Sequence, residues 1–373
     1  MENKIDLNRI PKLGFGMMRL PETGGVIDKA KVDEMVDMYM NAGLNYFDTA
    51  YVYHGGKSEI AVRESVVKRY DRDSFYIADK LPAWCINSYE DIDRIFNEQL
   101  ERCGVDYFDF YLLHSVEDGA NYNTYDKYDC FKWGVEKKKE GKIKHFGFSF
   151  HGSPSLLEKI LSNHPEVEFV QIQLNYLDWN NQVVRSGALY NILRNRNIPI
   201  IIMEPCKGGS LAKLEPRLEE MYKNVSPDKS IASWAFRYIG SLDGIMTILS
   251  GMTVKDQMED NIRTFKNFEP LSDEESETIQ KVVGIMQNMD LIPCTSCRYC
   301  CDGCPMGIRI PDIFRALNTK RLYPKDDRPN MFYNNLTMDS GKASQCVKCG
   351  QCEGVCPQHL EIIQLLEEAA KKL

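Results

Sequence analysis

Two hydrophobic periods alternate along residues 13–250. Short runs that are apolar almost throughout recur: "LGFGMM" (13–18), "NYFDT" (45–49), "FYIADK" (75–80) and "FDFYLLH" (108–114). They continue with "IKHFGFS" (143–149), "FVQIQLN" (169–175), "IPIIIME" (198–204) and "GIMTILS" (244–250). Between them apolar residues return at helical spacing. Val32, Met35, Val36, Tyr39 and Met40, for example, form an i, i+3, i+4, i+7, i+8 stripe. Runs without a polar face suit parallel strands that are covered on both sides. Gly43, ahead of "LNYFD", marks the end of a helix before the next strand. Eight strand–helix units over residues 1–266 predict an α/β fold, a (β/α)8 TIM barrel. A doubly wound sheet is the rival. It needs a phosphate-binding turn after an early strand, and "GFGMMR" continues into no G-x-G-x-x-G helix.

In such a barrel the chemistry sits where the strands end at their C-terminal side. Those ends place Asp48 after the second strand, Lys80 at the close of the third and His114 at the close of the fourth, with Tyr53 in the loop after Asp48. Taken singly, an Asp there is a helix cap, a Tyr is packing and a Lys is solvated. Four titratable groups converging from three consecutive strands form a constellation. A tyrosine has a pKa near 10, and a neighbouring ammonium favours its phenolate and lowers that value. Lys80 is expected to do this to Tyr53, with Asp48 pairing with Lys80 to hold it charged and oriented.

Composition narrows the partners. The net charge is −8, so nucleic acid has no electrostatic support. No stretch approaches the eighteen apolar residues that would suggest a membrane span, and "MENKIDLNRI" carries no export signal. The expected location is cytoplasmic.

The cysteines change the picture most. Nine of the thirteen fall in the last eighty residues. Cys294, Cys297, Cys300, Cys304 and Pro305 fit C-x2-C-x2-C-x3-C-P, and Cys346, Cys349, Cys352, Cys356 and Pro357 fit it again. This is the bacterial ferredoxin run, in which the fourth cysteine of each run serves the other cluster. Cys294, Cys297, Cys300 and Cys356 are therefore assigned to one [4Fe–4S] cluster. Cys346, Cys349, Cys352 and Cys304 are assigned to a second, and Cys301 is left over. Zinc uses four ligands in all rather than eight. Disulfides need an oxidising compartment.

The stretches "NYFDTAYVYHGGKSE" (45–59), "IADK" (77–80), "YLLHS" (111–115) and "LSGMTVKDQMEDNI" (249–262) resemble the aldo-keto reductases over about residues 10–266. With the tail, the chain resembles the bacterial branch that carries a C-terminal ferredoxin-like domain. The resemblance implies a carbonyl/alcohol substrate, NADPH or NADH, and a tetrad of Asp48, Tyr53, Lys80 and His114, with Tyr53 as general acid. It also implies cofactor contacts. Gly16 and Met17 would touch the nicotinamide ribose, and Ser149 and Gln171 the carboxamide. Lys207 and Ser210 would hold the pyrophosphate, and Gln257, Asp260 and Asn261 the adenosine end. Three positions depart from the family pattern: Phe150 replaces a carboxamide, and Met203 or Glu204 stands where a ring often lies under the nicotinamide. Gly251 and Gln257 stand where basic residues often grip a 2′-phosphate, and Lys255 is out of register. NADH is therefore expected alongside, or in place of, NADPH.

Ser272 and Glu275 form a capping-box pattern. They predict a helical linker over 267–290, ahead of an α+β ferredoxin-like domain over 291–373. "IPDIFRALN" and "LEIIQLLEEAAKKL" read as amphipathic helices, and "RLYPKDDRPNMFYNN" as a loop. Trp84, His54, His151 and Trp179 are the candidates for lining the substrate pocket. A nicotinamide delivers a hydride and a cubane moves one electron, so three readings of the tail stay open. The clusters exchange electrons with a partner protein or second cofactor; or they are structural or redox-sensing beside an ordinary carbonyl reductase; or the barrel only binds nucleotide in an electron-carrier subunit.

Overall fold

Each of the eight apolar runs becomes a strand: β1 (Leu13–Gly16), β2 (Tyr46–Asp48), β3 (Tyr76–Pro82), β4 (Phe108–Val116), β5 (Ile143–Phe150), β6 (Phe169–Gln173), β7 (Ile200–Met203) and β8 (Ile245–Ser250). The computed structural model describes residues 5–7, 9–117, 119–181, 183–322 and 327–373. Sequential strands pair in parallel, and β1 lies between β2 and β8, with Phe15 opposite Phe47 and Leu13 opposite Ile248. The sheet is thus a closed barrel, which excludes the doubly wound alternative and leaves no strand edge to pair with another chain. The strands are buried on both faces, as their composition requires: all nine residues of β4 are buried.

Strands β3 and β4 run two residues past Lys80 and His114, so both side chains project from within a strand. That gives them a stiffer support than a loop would. A feature not expected from the sequence follows β1. Glu22–Thr23 and Val26–Ile27 form an antiparallel hairpin, with Gly24 and Gly25 at positive φ in its turn. The G-G pair between short β-forming stretches was the available signal.

The capping box closes as expected. Ser272 Oγ accepts from the Glu275 amide, and Glu275 accepts from the Ser272 amide, at the start of the helix Asp273–Gln287. This helix lies against the barrel. Ile279, Val282 and Val283 join Leu218, Tyr222 and Trp234 in one apolar cluster, and Glu275 pairs with the buried Arg237.

The tail has a separate, smaller core of Ile308, Ile313, Phe314, Leu317, Tyr333, Ile362 and Leu366. Its two expected helices are present, as Ile310–Leu322 and Ile362–Lys372. The stretch read as a loop contains a third helix, Arg328–Leu336, while residues 323–326 lie outside the described residues. Pro329 does not oppose that helix, because it stands in the first turn, where no backbone donor is needed. The expected strand content shrinks to a bridge between Ile308 and Gly341 among the described residues.

Candidate active site and cysteine pockets

A cavity of ≈ 610 Å³ opens at the C-terminal ends of the barrel strands, within the usual range for small-molecule sites. Asp48, Tyr53 and His114 line one end. Lys80 stands behind Asp48, fully buried, and its Nζ donates to Asp48 Oδ1 and to the Thr49 carbonyl, both at 2.6 Å. The same Nζ lies 4.9 Å from the centre of the Tyr53 ring. The Tyr53 and His114 rings meet edge to face at 5.9 Å. The four groups singled out from strand ends therefore do come together.

Their electrostatics differ from the expectation in one respect. Tyr53 is held well above the ordinary phenol value, first by burial and then by the Asp48 charge. The sequence reading had Lys80 lowering it. Lys80 instead directs its hydrogen bonds to Asp48 and Thr49 and approaches the face of the ring. Burial also drives the His114 imidazole well below its usual value, aided by Lys80 and His151, so the ring is neutral. Its Nδ1 is buried without a partner. The site thus presents a protonated phenol and a neutral imidazole to one space.

Of the expected cofactor contacts, Gly16, Ser149, Gln171, Met203, Gln257, Asp260 and Asn261 line the cavity. Gln171 Oε1 is buried and unpartnered, while its Nε2 lies 3.4 Å from Met203 Sδ. An unsatisfied amide oxygen facing a cavity is costly unless a ligand donor meets it. Ser149 Oγ accepts from the Ser115 amide at 2.7 Å. Gln257 caps its own helix by accepting from the Thr253 amide at 2.8 Å, and Asn261 donates to Ser250 Oγ at 2.9 Å. Asp256 lines the same end of the cavity.

Three expected contacts lie elsewhere. Met17 is in the core, its carbonyl taking the Ser58 hydroxyl. Lys207 is buried, with Nζ 2.7 Å from both oxygens of Asp178. Ser210 is exposed. Lys255 pairs with Glu34 at 2.7 Å. Among the pocket candidates His151 lines the cavity, and Trp84 packs on the His114 ring at 5.2 Å. His54 bonds Glu22, and Trp179 packs between Tyr190 and Tyr238.

Sequence reasoning missed the roof. Cys297, Tyr299 and Pro357, all from the tail, line the cavity with Tyr53. Tyr299 thus faces the same space as the Tyr53 phenol. Arg19, after β1, donates to the Thr295 carbonyl at 2.6 Å. Gly208 has φ +65°, and a Cβ there would stand 2.1 Å from the Thr295 oxygen. Only glycine lets the "CKGG" loop sit so close to the tail.

The cysteines surround two small pockets. Cys294, Cys297, Cys300 and Cys356 line one, and Cys304, Cys346, Cys349 and Cys352 the other. Each pocket takes three sulfurs from one run and one from the other. Four thiolate donors around each pocket, three from one run and one from the other, fit an iron–sulfur cube.

The geometry is that of a barrel oxidoreductase joined to an iron–sulfur module, and comparison with known proteins agrees. The profile described as "Aldo/keto reductase family" matches residues 12–283, and that described as "4Fe-4S dicluster domain" matches 293–361. The chain belongs to the aldo/keto reductase family. It is similar to "Uncharacterized oxidoreductase YqkF" of Bacillus subtilis, 24% identical over 73% of this chain and 92% of that protein. It is also similar to L-galactose dehydrogenase of Arabidopsis thaliana, 23% identical over 75% and 91%. In fold it resembles aldo-keto reductase AKR11C1 from Bacillus halodurans, with TM-score 0.60 and 24% identity over 73% of this chain and 91% of that one. No helix among the described residues is long and apolar enough to cross a membrane.

Proposed function

We propose that the protein is an NAD(P)H-dependent oxidoreductase acting on a carbonyl/alcohol substrate, with Tyr53 as its general acid. The observation that carries this reading is the meeting of Asp48, Tyr53, Lys80 and His114 at one end of the cavity. A bound reduced nicotinamide supplies the hydride. Gly16, Ser149, Gln171 and Met203 would hold the nicotinamide end, and the unpartnered Gln171 oxygen would take a carboxamide N–H. Gln257, Asp260 and Asn261 would hold the adenosine end. A structure of a Klebsiella pneumoniae aldo-keto reductase, TM-score 0.59 to this chain, is described as a complex with NADPH.

Tyr53, kept protonated by burial and by the Asp48 charge, gives its proton to the substrate oxygen. His114, neutral, donates a hydrogen bond to the same oxygen and fixes the carbonyl against Tyr53. The Asp48–Lys80 pair anchors the wall behind them. Acid catalysis of this kind contributes about 10²–10⁴-fold.

In the tail, Cys294, Cys297, Cys300 and Cys356 would hold one [4Fe–4S] cluster, and Cys346, Cys349, Cys352 and Cys304 a second. Such clusters supply one-electron exchange with a partner protein or a second cofactor. The crossing of one cysteine from each run into the other pocket supports two clusters. The test is an anaerobic titration of reconstituted protein with NADH and NADPH, followed in the nicotinamide and iron–sulfur absorption regions over a panel of carbonyls. Carbonyl-dependent oxidation that falls by about 10²–10⁴-fold in Tyr53→Phe, with about eight irons per chain, is expected. Turnover unaffected by Tyr53→Phe, or about four irons, overturns the corresponding half of the reading.

A further inference from the structure

The negative middle of a dinucleotide lacks the lysine expected for it. Lys207 is buried against Asp178, and Lys255 is paired with Glu34. Glu204, Asp256 and Asp260 stand on the cavity wall. A diphosphate set among carboxylates needs a cation, because like charges brought together without one are costly.

Arg19 supplies that cation. The short turn Met17–Arg19 follows β1, and the Arg19 side chain lines the cavity. Three contacts fix it. The Thr253 hydroxyl donates to the Arg19 carbonyl at 2.9 Å. The stem lies on Gly251, where a Cβ would stand 2.9 Å from Arg19 Cδ. At the far end Nη2 donates to the carbonyl of Thr295, a tail residue, at 2.6 Å. The side chain thus spans from the end of β1, over the end of β8, to the cysteine-rich domain. It springs from the strand that ends in Gly16 and is bonded to the turn that Gln257 caps. A diphosphate joining the nicotinamide and adenosine ends would run between those two. The Thr295 bond engages one donor of a planar fork that carries five, and its acceptor is a neutral carbonyl.

We propose that Arg19 anchors the diphosphate of the cofactor and, through the same guanidinium, couples cofactor binding to docking of the tail. The inference rests on the reading of the cavity as an NAD(P)H site. Hydrogen bonds from a guanidinium to phosphate oxygens are charge-assisted and stronger than neutral ones. A docked tail holds the fork in place for them, and a bound diphosphate holds the fork in place for the tail. Such coupling is reciprocal: each partner raises the affinity of the other by the same factor.

The experiment uses full-length, iron-loaded protein under argon, with affinities read by equilibrium dialysis. Arg19→Met keeps the stem and removes the charge. It is expected to weaken NADH and NADPH binding about 10- to 100-fold, as loss of a hydrogen bond to a charged group does. ADP-ribose, which keeps the diphosphate and lacks the nicotinamide, should weaken by the same factor. Reduced nicotinamide riboside, which has no phosphate, should bind both proteins alike. Arg19→Lys keeps a charge without the fork, and should fall between Arg19→Met and the wild type. Hydrogen exchange reads the coupling. Saturating NADH should slow exchange at the amides of residues 295–300 by about 5- to 150-fold in the wild type, and that slowing should be lost in Arg19→Met at saturating nucleotide. The proposal is overturned if Arg19→Met binds NADH and NADPH as the wild type does, or if the riboside loses as much as NADH. It is also overturned if tail exchange is indifferent to nucleotide, or if Arg19→Met loses iron, which would make the role structural. Absence of NADH and NADPH binding in the wild type would instead strike at the nucleotide reading of the cavity.

Discussion

The barrel and the tail reach stability by different routes. The barrel buries eight apolar strands beneath helices, and its main core contains more than fifty buried residues. Among its described residues the tail has three helices of nine to thirteen residues, one bridge in place of a sheet, and a core of thirteen buried residues, two of them cysteines. Small cores leave little margin, and the tail's core is wrapped around two pockets of sulfur. A closed sheet holds its shape through the backbone. The tail depends on what its side chains bind.

Removing iron anaerobically should break the comparison most sharply. Amides in Ile310–Leu322 and Ile362–Lys372 are expected to lose hydrogen-exchange protection entirely, because metal binding and folding are one equilibrium in such modules. Barrel strands should keep theirs. Equal loss in both regions would show that the barrel leans on the tail.

A smaller effect tests the barrel from within. Lys80→Met leaves Asp48 buried and unpaired, and breaking such a pair costs about 3–5 kcal/mol. Denaturant unfolding of the barrel signal should show that loss without altering the iron content. A shift of less than about 1 kcal/mol would mean that Asp48 takes up a proton without penalty.

The junction between the two regions gives a pH test. Burial opposes the charge on Glu275, but the bonds from Arg237, the Ser272 amide and the Ser226 hydroxyl outweigh it and hold its pKa at about 2. A carboxylate lowered in the folded state stabilises above its unfolded value and loses that contribution as pH falls. The stability gap between the wild type and Glu275→Gln is therefore expected to be full at pH 7. It should narrow progressively below about 4.5, and a gap that widens on acidification would contradict the pairing.

The smallest expected effect is at the same helix start. Ser272→Ala removes one cap and should cost about 1 kcal/mol, read from the unfolding midpoint.

Much of this architecture was legible because the barrel advertises itself locally. Each strand is a short run without a polar face, and the tetrad could be found by asking what stands where those runs end. The cysteine spacing grouped the same eight side chains that line the two pockets. What escaped depends on distance and depth. Lys207 was expected at the pyrophosphate because its partner, Asp178, comes from another loop that spacing does not reveal. The direction of the Tyr53 shift was misjudged because spacing reveals a neighbouring charge but not the burial that outweighs it. Tyr299 had no local signal as a cavity-lining residue. It reaches the cavity through the way two regions dock, and no period or motif encodes that. The helix Arg328–Leu336 was hidden by polar residues and by prolines, of which Pro329 falls where a helix tolerates one.

The exchange of one sulfur between the two cysteine runs has a consequence for how this chain could be shortened or assembled. A cut anywhere between Cys304 and Cys346 would not leave one intact centre and one ruined one. It would strip Cys356 from the first pocket and Cys304 from the second in a single stroke. Each half of the tail therefore lends the other one sulfur, and neither pocket can be kept whole while the other half is trimmed away.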